Sequence, residues 1–555
     1  MISSLKGFDW EKWRSYADWK LLILLVFFLN VKLAVKIPVI VLIYIWQFDF
    51  RFGFRLKNSR LPLFYLLALL IPIAGLAFNK SYLNPNYAAV FLTGIFFWIL
   101  CILAIHQVKL SVESHQTETI HHTLLLFFII NAVFSAGNLL VIIWNTSELN
   151  PYTYQGQFQK YFISTGDYIK GITFDTSVTN AVINAFGVIY FLVRKQVAML
   201  LACMVCLLLT GSNFINILLL LIFLYLFILK SNRDQKSMIL ACLMFLVVFM
   251  AKVSPQNNRY VAETFKDTFD KDTVFHYPDK TVILPIAQRP DSVLNSEERK
   301  IKTATLFLDS LSLAAALEEK EKHPLVSQKP IIRTEQGTIV MPQADIHSAT
   351  YQSLKVPLAP QKPLQHFISL HKRWLPISSN AIAVPTLPGK ATALIQTLKF
   401  YSQHPARIFL GDGMGNFSSK LAFRVSGLSI AGGFPKRYDY ISNNFMQNHL
   451  DLYLNFFSKR ADYHSLTNSP FSVYDQLMSE YGLTGLISFL IFYWLFFARH
   501  YKKLTYGIPI LLLVTAVLFV DYWFEQLSIL VLFELLLLLN IKETNPENSK
   551  VYGHV

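Results

Sequence analysis

The residues best equipped for chemistry are gathered between positions 399 and 482. There, Gly411-Asp-Gly-Met-Gly-Asn-Phe417 and Tyr481-Gly-Leu-Thr-Gly485 bracket a stretch dense in glycine, histidine, arginine and asparagine. From 355 to 460 the bases Lys372, Arg373, Arg407, Lys420, Arg424, Lys436, Arg437, Lys459 and Arg460 outnumber the carboxylates. Fixed cations at that density invite an anionic partner, and lipid phosphates are the nearest candidates if the stretch lies at a membrane face. Gly411, Gly413 and Gly415 admit two readings: a tight turn needing positive φ, or a close approach of backbone amides to a diphosphate. A dinucleotide site is not expected, because Arg407-Ile-Phe-Leu410 offers a short strand but no βαβ alternation follows it. Nor is a nucleic-acid partner, since the cations behind the net charge of +15 are divided among loops and the outer segment.

The elements that must position these residues are membrane helices. A chain that is 53% hydrophobic and 15% charged has the composition of a polytopic α-helical membrane bundle. A bilayer core asks for roughly 20 apolar residues per helix. Segments 61–78, 87–107, 123–144, 214–229, 238–253 and 483–498 meet that demand. Asn30, Lys32, Lys36 and Pro38 interrupt 21–46, which reads as two short helices. Arg194-Lys195-Gln196 separates 178–193 from 197–209, and 507–520 and 527–539 close the chain around Asp521-Tyr-Trp-Phe-Glu525. The total is about twelve passes. With that number, the cationic loops at Arg51, Arg55, Lys57 and Arg60, at Arg194 and Lys195, at Lys230, Arg233 and Lys236, and at Arg499, Lys502 and Lys503 all fall on one side. That side is the cytoplasm, so both termini are expected inside and the long polar segment outside. Lys32 and Lys36 break the pattern and read as snorkelling side chains, with a lipid-headgroup contact as the alternative.

The expected organisation is a cytoplasmic amphipathic segment (1–20), helices one to nine (21–253), a variable outer insertion (254–398), the outer motif region (399–482), helices ten to twelve (483–540) and a cytoplasmic tail (541–555). The N-terminal segment mixes Trp10, Trp13 and charges, unlike a cleavable signal peptide. The insertion carries β-like runs at 281–285 and 338–341, an amphipathic helix around 301–322 and proline-rich linkers, which makes the outer domain mixed. Cys101, Cys203, Cys206 and Cys242 all lie in apolar segments, so neither disulfides nor a thiolate metal site holds that domain. Cys203 and Cys206 have CxxC spacing but read as helix packing. No metal or cofactor is expected.

Four patterns in order resemble one family. His404-Pro-Ala-Arg-Ile-Phe-Leu-Gly-Asp-Gly-Met-Gly-Asn-Phe417, and Asn468-Ser-Pro-Phe-Ser-Val-Tyr-Asp-Gln-Leu-Met-Ser-Glu-Tyr-Gly-Leu-Thr-Gly485 leading into a helix, look like the two ends of the outer loop in the O-antigen ligase and O-antigen polymerase family of bacterial envelope glycosyltransferases. Lys170-Gly-Ile-Thr-Phe-Asp-Thr-Ser-Val-Thr-Asn180 and Leu208-Leu-Thr-Gly-Ser-Asn213 are similar to its two upstream patterns. The resemblance covers about 166–497, with the insertion unmatched. The family usually has arginine where this chain has Lys170 and Asn213. Lysine keeps the charge but loses the planar fork, and asparagine loses the charge.

The resemblance implies a type C glycosyltransferase-like bundle in a bacterial inner membrane with a periplasmic outer domain. It implies transfer of an oligosaccharide from an undecaprenyl-diphosphate carrier to an acceptor hydroxyl on lipid, glycan or protein, as in lipopolysaccharide biosynthesis, without metal or nucleotide. A histidine is then the base: His464, which lies near Asn468 and one possible helical turn after Arg460, or else His449, with His404 a structural third. Lys170, Arg424, Lys436, Arg437 and Arg460 would hold the diphosphate, supported by Gly411, Gly413, Gly415, Asn468 and Glu480. Glu480 reads first as a structural acid, and Asp175 and Asp412 as turn acids. A lipid-linked glycan flippase and a non-enzymatic envelope scaffold are the competing expectations.

Overall fold

The computed structural model describes residues 15–54, 60–153, 165–254, 388–426, 434–449 and 469–544, with a few isolated positions between them. At every segment expected to be an apolar pass, these residues form a helix. Pro85–Ser114, Thr117–Thr146, Arg233–Val253 and Val473–Ala498 are long and apolar enough to cross a bilayer. Trp19–Phe28, Leu33–Trp46, Phe64–Phe78, Ser177–Val193, Val197–Leu209, Asn213–Leu229 and Gly507–Val517 are shorter apolar helices, and Ser528–Glu543 closes the series. The chain is an α-helical membrane protein. Its strand content among the described residues is one antiparallel pairing, Ile332–Arg333 with Ile339–Val340, in the region of the expected run at 338–341. The run at 281–285 and nearly all of 301–322 lie outside the described residues.

Local chemistry sets the helix ends. Asp18 accepts from the Leu21 amide, and Thr176 from the Thr179 amide. Asn232 and Gln235 make a reciprocal capping box at the start of Arg233–Val248. Helix 473–489 is broken at Gly482, whose φ of 69° and ψ of −171° lie outside helical space.

The chain divides into two compact units. One comprises Met1–Ile73, Thr93–Val274 and Thr484–Val555; the other joins Ala74–Leu92 to Phe275–Leu483. The described part of the motif region thus shares a unit with the end of one early helix and the start of the next. In the first unit Phe64, Trp98, Phe489, Tyr493 and Phe524 pack ring against ring. Gly187 admits Cys203, because a side chain there would lie 2.6 Å from the thiol sulfur, and both Cys203 and Cys206 are buried free thiols within helix packing.

Two charges in this unit are buried within apolar helices, the first against expectation. Lys36 does not snorkel. It is buried, its ammonium donating to the Phe28 carbonyl at 2.6 Å and lying 4.9 Å from the Phe28 ring. The end of the preceding helix leaves that carbonyl open, which supplies an inward partner. Glu534, in the middle of an apolar helix, is also wholly buried, and Tyr65 donates to one of its carboxyl oxygens.

Candidate functional site

The two ends of the motif region are fastened together through main chain. Asp412 N–H donates to the Ser479 carbonyl at 2.9 Å, Gly413 N–H to Glu480 at 3.1 Å, and Leu483 N–H to Ile408 at 2.7 Å. Gly411 and Gly482, with φ of 71° and 69°, meet at this joint. A side-chain carbon at Gly411 would stand 2.4 Å from the Glu480 backbone, and one at Gly482 would stand 2.4 Å from the Phe409 carbonyl. Both positive φ and lack of room restrict these positions to glycine. Glu480, 1% exposed, reaches back into the glycine turn: its carboxylate accepts from Gly415 N–H at 2.8 Å and Phe417 N–H at 3.1 Å. Of the two readings of Gly411, Gly413 and Gly415, the structure displays the tight turn. The Gly415 and Phe417 amides, which a diphosphate would have used, hold a protein carboxylate.

A polar network surrounds the turn. Buried Asp412 forms an ion pair with Arg407 and takes both oxygens to the Asn444 amide, at 2.8 and 2.9 Å. Asn416 donates to the Asp412 carbonyl, and Tyr440 donates to Asn416 at 2.8 Å. Burial raises the Tyr440 hydroxyl above its ordinary range, so it stays a neutral donor. Burial also lowers the Arg407 guanidinium, which remains charged at any physiological pH. From the early helices, Asn79 donates to the Gly411 carbonyl at 3.1 Å and Tyr87 to Met414 at 2.9 Å.

His449 sits inside this unit, not at its surface. It is 0% exposed, with Nε2 3.2 Å from Asp475 and Nδ1 2.9 Å from Gln396 and 3.0 Å from the Asn448 carbonyl. Phe417 packs edge-on against it at 4.4 Å, and Thr397 donates to the other Asp475 oxygen at 2.7 Å. Both ring nitrogens are engaged within the unit and the ring is fully buried, which leaves an acceptor hydroxyl no approach to it. The geometry is that of a residue clamping Gly389–Gln403 and Asn443–Asn448 to the helix at Val473. His404, half-buried, stacks on Phe400 at 4.9 Å. His464, Arg460 and Asn468 lie outside the described residues.

The available cations are on the short helix Lys420–Val425 and the turn after it. Ser419 caps this helix through the Ala422 amide at 2.9 Å. Lys420 and Arg424 are one turn apart on one side of it, half-buried, and neither has an acidic partner among the described residues. Tyr440 N–H donates to the Val425 carbonyl at 2.8 Å, tying in the Lys436–Tyr438 turn. There Arg437 is exposed, its guanidinium 4.5 Å from the Tyr438 ring. The Lys436 side chain is not among those described.

The upstream patterns fold together in the other unit. Lys170 and Gly171 both donate their amides to Asn138 at 3.0 Å, and Ile172 donates to Asn131 at 3.1 Å. Asn180, at the end of the pattern, returns to the Ile169 carbonyl at 3.0 Å and donates to Ser135 at the same distance. Gly166 abuts the turn of the second pattern, where a side chain would be 2.4 Å from the Thr210 carbonyl. The Lys170 side chain is half-buried.

Several of these functional-looking contacts escape sequence reading. Asn131 and Asn138, two turns apart in an apolar helix, were a usable signal: buried amides demand partners. Asp475 and Gln396 were not, because neither has a spacing that announces His449. Compared with protein-family models, curated proteins and solved structures, the chain matches none.

Proposed function

We propose that this protein is a bacterial inner-membrane glycosyltransferase of the O-antigen ligase or polymerase type, acting on an undecaprenyl-diphosphate-linked glycan. In this reading the chain crosses the membrane about twelve times with both termini in the cytoplasm and the motif region in the periplasm. The observation that carries it is the joint in the outer unit. The glycine turn and the Glu480-Tyr-Gly482 segment, read as two halves of one family pattern, are fastened together, and Lys420, Arg424 and Arg437 stand nearby without acids. These cations stabilise the diphosphate as the anomeric bond breaks. Arg407 does not join them, being neutralised by Asp412. His464 is the base that takes the acceptor proton; His449, with Asp475, positions the helices around the turn. The acceptor is a lipid, a growing glycan or a protein hydroxyl.

The test is the surface glycan of cells carrying Lys420→Ala, Arg424→Ala, Arg437→Ala or His464→Ala, each at normal membrane level. Loss of long chains from the lipid anchor indicates ligation, a single remaining repeat indicates polymerisation, and a mobility shift of proteins alone indicates protein glycosylation. Unchanged glycan in all four variants overturns the proposal. Buried Lys36 and Glu534 favour a second reading, a lipid-linked glycan transporter, because ionisable groups inside a membrane commonly mark a transport path. Glu534→Gln separates the two: a transporter loses substrate movement, whereas the transferase keeps turnover.

A further inference from the structure

The helix Gly389–Gln403 has three faces where a soluble helix needs two. Ala393, Thr397, Phe400 and Tyr401 are buried against their own unit. Thr392, Lys399 and Gln403 form a polar stripe at helical spacing, bordered by Gln396, whose side chain meets His449. Between them lies a third, apolar face: Leu394, Ile395 and Leu398 are 46, 50 and 54% exposed. Phe409, shortly after the helix, is 66% exposed.

The helix is fixed along the chain that leads into the membrane. Lys390 donates to Ser469 at 3.0 Å, Thr397 to Asp475 at 2.7 Å, and Tyr401 to the Met478 carbonyl. Phe409 and its neighbour Ile408 hold Gly482 and Leu483, where the apolar span begins. The helix carries lysines at 390 and 399 and no acid at all. A protein face, an apolar face and a cationic polar stripe match the boundary between acyl chains and anionic headgroups.

We propose that Gly389–Gln403 lies in the plane of the bilayer surface, with Leu394, Ile395, Leu398 and Phe409 inserted among the acyl chains and Lys399 at the phosphates. This assignment depends only on the chain being a membrane protein, not on the transferase reading.

The experiment uses the full chain in vesicles of phosphatidylcholine and phosphatidylglycerol, with an environment-sensitive fluorophore on Ile395→Cys, Leu398→Cys or Gln403→Cys. The native cysteines are buried, and peptide mapping confirms that only the introduced thiol is labelled. Brominated lipids are expected to quench the 395 and 398 probes at least about threefold more than the 403 probe, with aqueous iodide giving the reverse order. Quenching of 395 and 398 by iodide but not by lipid overturns the proposal. Protection from both quenchers also overturns it, assigning the face to segment 255–387 or to a second protein. Using two labelled positions on the apolar face covers the loss of either variant through misfolding.

Discussion

At the scale of single residues, Glu480 is the clearest case of a chemistry-capable group spent on architecture. Its two oxygens answer two backbone amides of the glycine turn, so Glu480→Gln must set an amide N–H₂ against one of those donors. We expect a loss of about 1–3 kcal/mol in unfolding free energy, read as a lowered midpoint in a thermal or denaturant melt of the purified protein. Gly411→Ala adds a side-chain carbon where the Glu480 backbone already stands, and is expected to abolish accumulation of folded protein, measured as monodisperse yield. His449→Ala leaves one Asp475 oxygen buried without its imidazole while Thr397 still donates to the other, and is expected to cost about 1–3 kcal/mol. If His449 were instead a surface base, the variant would melt like the parent while losing turnover. The glycines were legible as a place of special backbone geometry, but the sequence left open whether the turn or a bound diphosphate required it. The role of His449 was not legible, because imidazole chemistry depends on what the ring touches, and its partners come from helices far along the chain.

At the scale of elements, the apolar cores of the helices were readable, but Pro85–Ser114, Thr117–Thr146 and Val473–Ala498 each extend well beyond the apolar segments at 87–107, 123–144 and 483–498. Length and composition dictate that backbone amides in lipid pair within the segment, which leaves the sequence little choice. The expected segment 238–253 missed the first turn of Arg233–Val248, although Asn232 and Gln235 form a capping box there. The pinning of loop 165–173 was not readable, because it depends on amides donated to side chains of a different helix. Replacing Asn138 by Ala removes the shared acceptor of Lys170 and Gly171. We expect it to destabilise by about 1–3 kcal/mol and to speed hydrogen exchange at those two amides, with the rest of helix 117–146 unaffected. The short helix Lys420–Val425 presents its cations without counter-charges, so Arg424→Glu is expected to leave the melt within about 0.5 kcal/mol of the parent. On the transferase reading the same change lowers glycan transfer at least tenfold, which a gel of surface glycan would display.

At the scale of the whole molecule, membrane residence was legible from composition, but buried Lys36 and Glu534 were not; the lysines and arginines supply the proposed orientation. A lone charge in an apolar run looks like a violation until an inward partner is located, and a hydropathy pattern carries no information on partners. The orientation has a direct check. A thiol reagent that cannot cross the membrane is expected to label Lys420→Cys in intact cells with the inner membrane exposed, and Lys195→Cys only after permeabilisation. Labelling in the opposite order would invert the arrangement.

The joint at Gly411 and Gly482 is written in main chain: peptide groups on one strand of the turn grip peptide groups at the helix break, and only a few letters are constrained by it. Distant descendants of this architecture would therefore share almost no text while preserving one sparse spelling, three alternate glycines and, scores of residues later, a glutamate two places before another glycine. A search keyed to that spelling, rather than to overall likeness, is the way kin of such a chain would be recovered.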